Sequence, residues 1–124
     1  MRRVVVCLLS ALIAVIAAAR PAAAQASKAK ADQGAALFVS QKCTMCHSVA
    51  GKGNPKGSLD GVASKAKADE IRQWITDPDG MRAKAHATRT PAMKVIKLSA
   101  DQVDALVAYL ATLKAARTDA DAER

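Results

Sequence analysis

The sequence predicts an all-α domain with long loops. Near the C-terminus, Val103, Leu106, Val107, Leu110 and Leu113 recur at i, i+3, i+4, i+7 and i+10, the spacing of one buried helical stripe. Ser99 and Gln102 precede that stripe in the S-x-x-Q form of a capping box, which satisfies free N–H groups at a helix start. In the middle of the chain Ile71, Trp74 and Ile75 repeat at helical spacing, behind Asp69 and Glu70, whose charges suit a first turn. No alternating strand pattern and no internal repeat competes with these signals.

The first 24 residues read as an address rather than part of the fold. Met1-Arg2-Arg3 is a basic start, Val4 to Ala19 is uncharged and almost wholly apolar, and Ala22-Ala23-Ala24 supplies small residues before Gln25. These are the three parts of a secretory signal peptide, with cleavage expected after Ala24 or, as an alternative, after Ala26. An uncleaved membrane anchor is the rival reading, although the apolar run is short beside the roughly 20 residues a bilayer asks for. Cys7 lies inside this segment and is given no role.

Removal of residues 1–24 leaves 100 of the 124, enough for one small domain. Residues 25–31 are expected to form a flexible leader, 32–116 the domain, and 117–124 a charged, frayed tail. Within the domain, Asp32 is expected to cap a first helix over Gln33 to Gln41, with Leu37 and Phe38 on its apolar side. Ala50 to Gly61 holds four glycines, Asn54 and Pro55, and reads as a loop. A middle helix is expected over Ala66 to Thr76, stopped by a turn at Asp77-Pro78-Asp79-Gly80. Beyond it, one short helix and then an extended stretch around Thr90-Pro91 are expected before the last helix.

The full chain carries a net charge of +8, and loss of Arg2, Arg3 and Arg20 lowers this to +5. A basic surface favours acidic partners and steers association with them. Nucleic acid is the poorer partner, because no basic run is interleaved with aromatics for base stacking.

After cleavage the remaining cysteines are Cys43 and Cys46, in Cys43-Thr44-Met45-Cys46-His47. Cys-x-x-Cys-His is the attachment signal for c-type haem. Each thiol adds across one porphyrin vinyl group, and the two-residue gap sets the sulfurs at the spacing of neighbouring vinyls. His47 then follows as the proximal iron ligand, a role for a neutral imidazole. A disulfide and a zinc site compete with this reading. The chain offers no thioredoxin-like βαβ context for the first. Cys43, Cys46, His47 and His86 supply four ligands for the second, but Cys46 and His47 are adjacent and awkward around one tetrahedral metal.

The sixth iron position decides what such a haem does: filled, it favours electron transfer; open, it admits small ligands. Met93, Met81 and His86 are the candidates. Met93 is favoured because it lies in an irregular stretch, Thr90-Pro91-Ala92-Met93, able to thread across a haem face. The plain alternative for any such Met is core filling.

From Asp32 to Ala116 the chain resembles a class I cytochrome c of the short bacterial kind. The matching pieces are Gly34-Ala35-Ala36-Leu37-Phe38, Cys43 to His47, Leu59-Asp60-Gly61-Val62, Glu70 to Ile75, Pro91-Ala92-Met93 and Leu106 to Leu110, in the family's order. The resemblance implies three main helices and long loops around one covalently bound haem c. It implies that Gly34 permits close approach of the first and last helices, with Phe38 and Tyr109 packed at their crossing. Met93 matches the distal ligand, Leu59 the haem-packing loop, and Trp74 a tryptophan whose N–H could donate to a haem propionate. One departure concerns the family's Pro before that Leu, whose carbonyl accepts from the proximal His. Here Ser58 stands in that place, and its carbonyl is the expected acceptor.

The function expected is electron transfer by a periplasmic monohaem carrier, not catalysis. Its expected partners are redox proteins with acidic docking surfaces: a dehydrogenase, a membrane respiratory complex or a terminal oxidase. Lys42, Lys52, Lys56, Lys84, Lys94 and Lys97 flank the segments expected around the haem edge. A monomer without stable membrane insertion is expected after cleavage. The alternatives are a peroxidase-like enzyme or a small-ligand sensor, both needing an open iron, and a subunit of a larger dehydrogenase or oxidase.

Overall fold

The computed structural model describes residues 19–115, with side chains from Ala22 onward. The expected signal segment as far as residue 18, and the tail 117–124, lie outside the described residues. Among the described residues, five α-helices run in the order α1 (Ala19–Ser40), α2 (Val62–Lys65), α3 (Ala68–Thr76), α4 (Pro78–Lys84) and α5 (Ala100–Leu110). Short 3-10 turns at Cys43–Met45 and Pro55–Gly57 flank a two-stranded hairpin, β1 (Ser48–Val49) and β2 (Lys52–Gly53). None of these helices is long and apolar enough to cross a membrane.

The frame is the pairing of α1 with α5. Gly34 is buried where they cross, and a Cβ on it would collide with the Ala105 carbonyl and with Tyr109. Phe38 and Tyr109 close the crossing with ring centroids 5.8 Å apart and planes tilted by 59°, an aromatic geometry that adds to simple area burial. Phe38, Ile71, Ile75, Val103, Leu106, Val107 and Leu110 form one core, so α3 packs against the same α5 stripe. Arg72 on α3 hydrogen-bonds Asp104 on α5, and Lys30 on α1 lies 3.7 Å from the same carboxylate.

Two expectations need correction. Residues 25–31, expected as a flexible leader, are turns of α1, and Asp32 sits inside the helix rather than capping it. Ala, Lys and Gln are strong helix formers, and Lys28 bridges to Asp32 at 2.7 Å across one turn. The stop at Asp77 is also a start. Asp77 Oδ1 accepts from the Gly80 N–H at 3.0 Å, and Pro78 occupies the first turn of α4, where its missing N–H costs nothing. The capping box at Ser99 is present in both directions, with the Gln102 side chain accepting from the Ser99 N–H at 2.9 Å. The small hairpin was not legible as a strand pattern: two-residue strands are too short to show a period.

Candidate haem-binding site

α1 ends because Lys42 adopts a left-handed conformation, φ 59°. The chain then tightens into the Cys43–Met45 turn, where the Cys46 and His47 N–H groups both donate to the Cys43 carbonyl, at 3.1 and 2.9 Å. This turn brings the side chains of Cys43, Cys46 and His47 to one cleft. The two cysteines are not joined to each other, and no group of three or more metal-ligating His, Cys, Asp or Glu forms among the described residues. The four-ligand zinc arrangement with His86 is therefore not assembled.

The next segment turns back on the motif. Asn54 caps the Pro55–Gly57 turn by accepting from the Lys56 N–H at 3.0 Å, while its Nδ2 donates to the Met45 carbonyl at 3.1 Å. So fixed, the turn sets the Gly57 carbonyl 3.1 Å from His47 Nδ1. The acceptor is Gly57, one residue earlier than the expected Ser58, because the 3-10 turn curls the carbonyl of its last residue toward the ring. A carbonyl only accepts, so Nδ1 carries the hydrogen and Nε2 keeps its lone pair. Burial lowers the His47 pKa, the Gly57 hydrogen bond opposes it, and the positive charge of Arg89 adds to the lowering. The net direction favours the neutral imidazole. The Cys43 thiol is pushed up, chiefly by burial, with its backbone hydrogen bond opposing and Cys46 adding.

The cleft measures about 330 Å³, within the roughly 300–1,000 Å³ of small-molecule sites. Leu59, Val62, Ile71, Ile75, Ile96 and Leu98 give it mostly apolar walls. Trp74 also lines it, half-buried, and its indole N–H finds no acceptor among the described residues. Met93 lines the cleft from the extended segment between α4 and α5. The other two candidates do not line it. Met81 is core, 5% exposed, and His86 is exposed beyond α4 with φ 49°. Two arginines unremarked in the sequence line it as well. Arg82 Nε donates to the Ala87 carbonyl at 3.0 Å, and Arg89 Nη2 donates to the Cys46 carbonyl at 2.6 Å. The first contact is local, five residues along the chain, whereas Arg89 reaches across 43 positions.

The donor set fits a c-type haem. Two thiols are separated by two residues on one turn, a neutral imidazole has its outer nitrogen free, and the walls are apolar. An all-α domain folded around such a cleft suits a covalently held haem. Residues 31–114 match the cytochrome c family model, well over half of the chain, and the chain belongs to that family. No curated protein and no solved structure shows a significant match. Membership implies covalently bound haem c and haem-based electron transfer, in a family whose members are typically carriers rather than enzymes.

Proposed function

We propose that this protein is an exported, single-haem electron carrier with His47 and Met93 as axial ligands and thioether bonds at Cys43 and Cys46. The observation that carries this reading is the shared cleft. His47 and Met93 line it together with both cysteines, whereas Met81 is buried in the core and His86 is not among its lining residues.

Haem, when bound, supplies an iron centre that takes up and releases one electron. The chain's own residues set the conditions. Gly57 fixes the His47 tautomer, and this partner orients the ligand and raises its basicity. Leu59 and its apolar neighbours exclude water. Trp74 offers an N–H that suits an anionic propionate edge. The second imidazole of the chain, His86, does not line the cleft, which counts against an acid–base role of the peroxidase kind.

The basic start and apolar run of residues 1–24 support export to the periplasm. Lys42, Lys52, Lys56, Lys84, Lys94 and Lys97 are all exposed, and they suit an acidic docking surface on a dehydrogenase, respiratory complex or oxidase. The test is electron exchange between the haem-loaded protein and an acidic redox protein at rising ionic strength. The rate is expected to fall steeply between about 10 mM and 150 mM salt, where the screening length shortens from about 30 to 8 Å. A salt-independent rate would contradict charge-steered docking.

A further inference from the structure

Residues 88–98 carry Met93 across the cleft with no helix or strand to hold them. Among the described residues, one hydrogen bond ties this segment to the rest of the chain: Arg89 Nη2 to the Cys46 carbonyl, 2.6 Å. It is charge-assisted and hence stronger than a neutral backbone bond. Its acceptor lies inside the haem-attachment turn, immediately before His47. The guanidinium has no carboxylate partner among the described residues. It lies so close over Gly57 that a Cβ there would collide with both Arg89 Nη1 and the Cys46 carbonyl. Arg89 therefore sits against the same backbone whose carbonyl orients His47, four residues before Met93 in the chain.

We propose that Arg89 is a positioning residue that latches the Met93 segment onto the haem-attachment turn, keeping Met93 on the iron and setting its charge beside the proximal ligand. This inference rests on the reading of Met93 as the distal ligand. An incoming ligand that displaces Met93 must move the segment, and the latch opposes that movement because its hydrogen bond exists only in the closed arrangement. A positive charge near His47 also favours the reduced, less positive centre.

The experiment compares haem-loaded wild type, Arg89→Gln and Arg89→Lys. Ferric protein is titrated with imidazole while the sulfur-to-iron charge-transfer band is followed, and the reduction potential of each is measured. Arg89→Gln is expected to bind imidazole about tenfold more tightly, the scale of one lost charge-assisted hydrogen bond, and to have a lower potential. Arg89→Lys, which keeps the charge without the planar fork, is expected to recover the potential and only part of the resistance to imidazole. Wild-type imidazole affinity in Arg89→Gln would overturn the latch, even if the potential fell. Should Arg89→Gln not accumulate in loaded form, Arg89→Lys decides alone: imidazole affinity equal to wild type overturns the latch. A wild type lacking the charge-transfer band would overturn the ligand reading and the latch with it; the band present with imidazole binding unchanged would overturn the latch only.

Discussion

His47 Nδ1 and the Gly57 carbonyl oxygen stand 3.1 Å apart across ten residues of hairpin and turn. Three sets of contacts support that approach. Asn54 caps the turn, the Ser48–Gly53 and Val49–Lys52 pairs fold the chain back, and the Leu59 N–H donates to the Ser48 carbonyl at 2.9 Å. The result is an imidazole held in one tautomer with its outer nitrogen available to a metal.

Gly57 has no room for a side chain, since a Cβ would meet the Cys46 carbonyl and the Arg89 guanidinium. Gly57→Ala is expected to push the carbonyl off His47 and to destabilise the haem-loaded protein by about 1–3 kcal/mol, as overpacking does. Guanidinium unfolding of the two proteins measures this. Equal midpoints and equal slopes would show that the turn shifts freely and does not hold the ring.

The crossing of α1 and α5 depends on Gly34 in the same manner. A methyl group at this position must displace the Ala105 carbonyl or part the helices. Gly34→Ala is expected to cost about 1–3 kcal/mol, partly offset by the better helix propensity of Ala, about 1 kcal/mol. Thermal unfolding is expected to show a lower midpoint; a higher one would mean that the helices do not meet this closely.

Asp104 gives a pH prediction. The hydrogen bond from Arg72 holds its carboxyl below the usual carboxylate range; partial burial opposes this, and the charges of Arg72 and Lys30 add to it. A group depressed in the folded state contributes stability that is complete above its unfolded pKa and is lost as pH falls through the folded one. Asp104→Asn is therefore expected to lower stability at neutral pH and to flatten the decline of stability in acid below about pH 4. The pair is partly exposed, so the effect is small and salt-sensitive. Parallel stability–pH curves for the two proteins would contradict it.

Much of this was legible in the sequence because it rested on short-range rules. The capping box at Ser99, the α5 stripe from Val103 to Leu110 and the Cys43–His47 turn are all set by neighbours within a few positions. The start of α1 was misplaced because Asp32 looks like a cap, whereas the Ala- and Lys-rich residues before it continue the helix. Gly57 was missed by one residue because counting back from Leu59 does not foresee the curl of a 3-10 turn. Arg89 was invisible for a different reason. Its partner is 43 residues away, and no local spacing encodes a contact between a loop side chain and a distant carbonyl. Met81 and Met93 could be ranked from context, but burial of Met81 in the core is a fact of packing.

The most direct measurement is the ferric absorption spectrum of the haem-loaded protein beside that of Met93→Ala. A weak sulfur-to-iron charge-transfer band at long wavelength is expected in the wild type and is expected to be lost in the variant while haem stays covalently attached. A spectrum left unchanged by the substitution, or a high-spin spectrum in the wild type, would contradict His47/Met93 ligation.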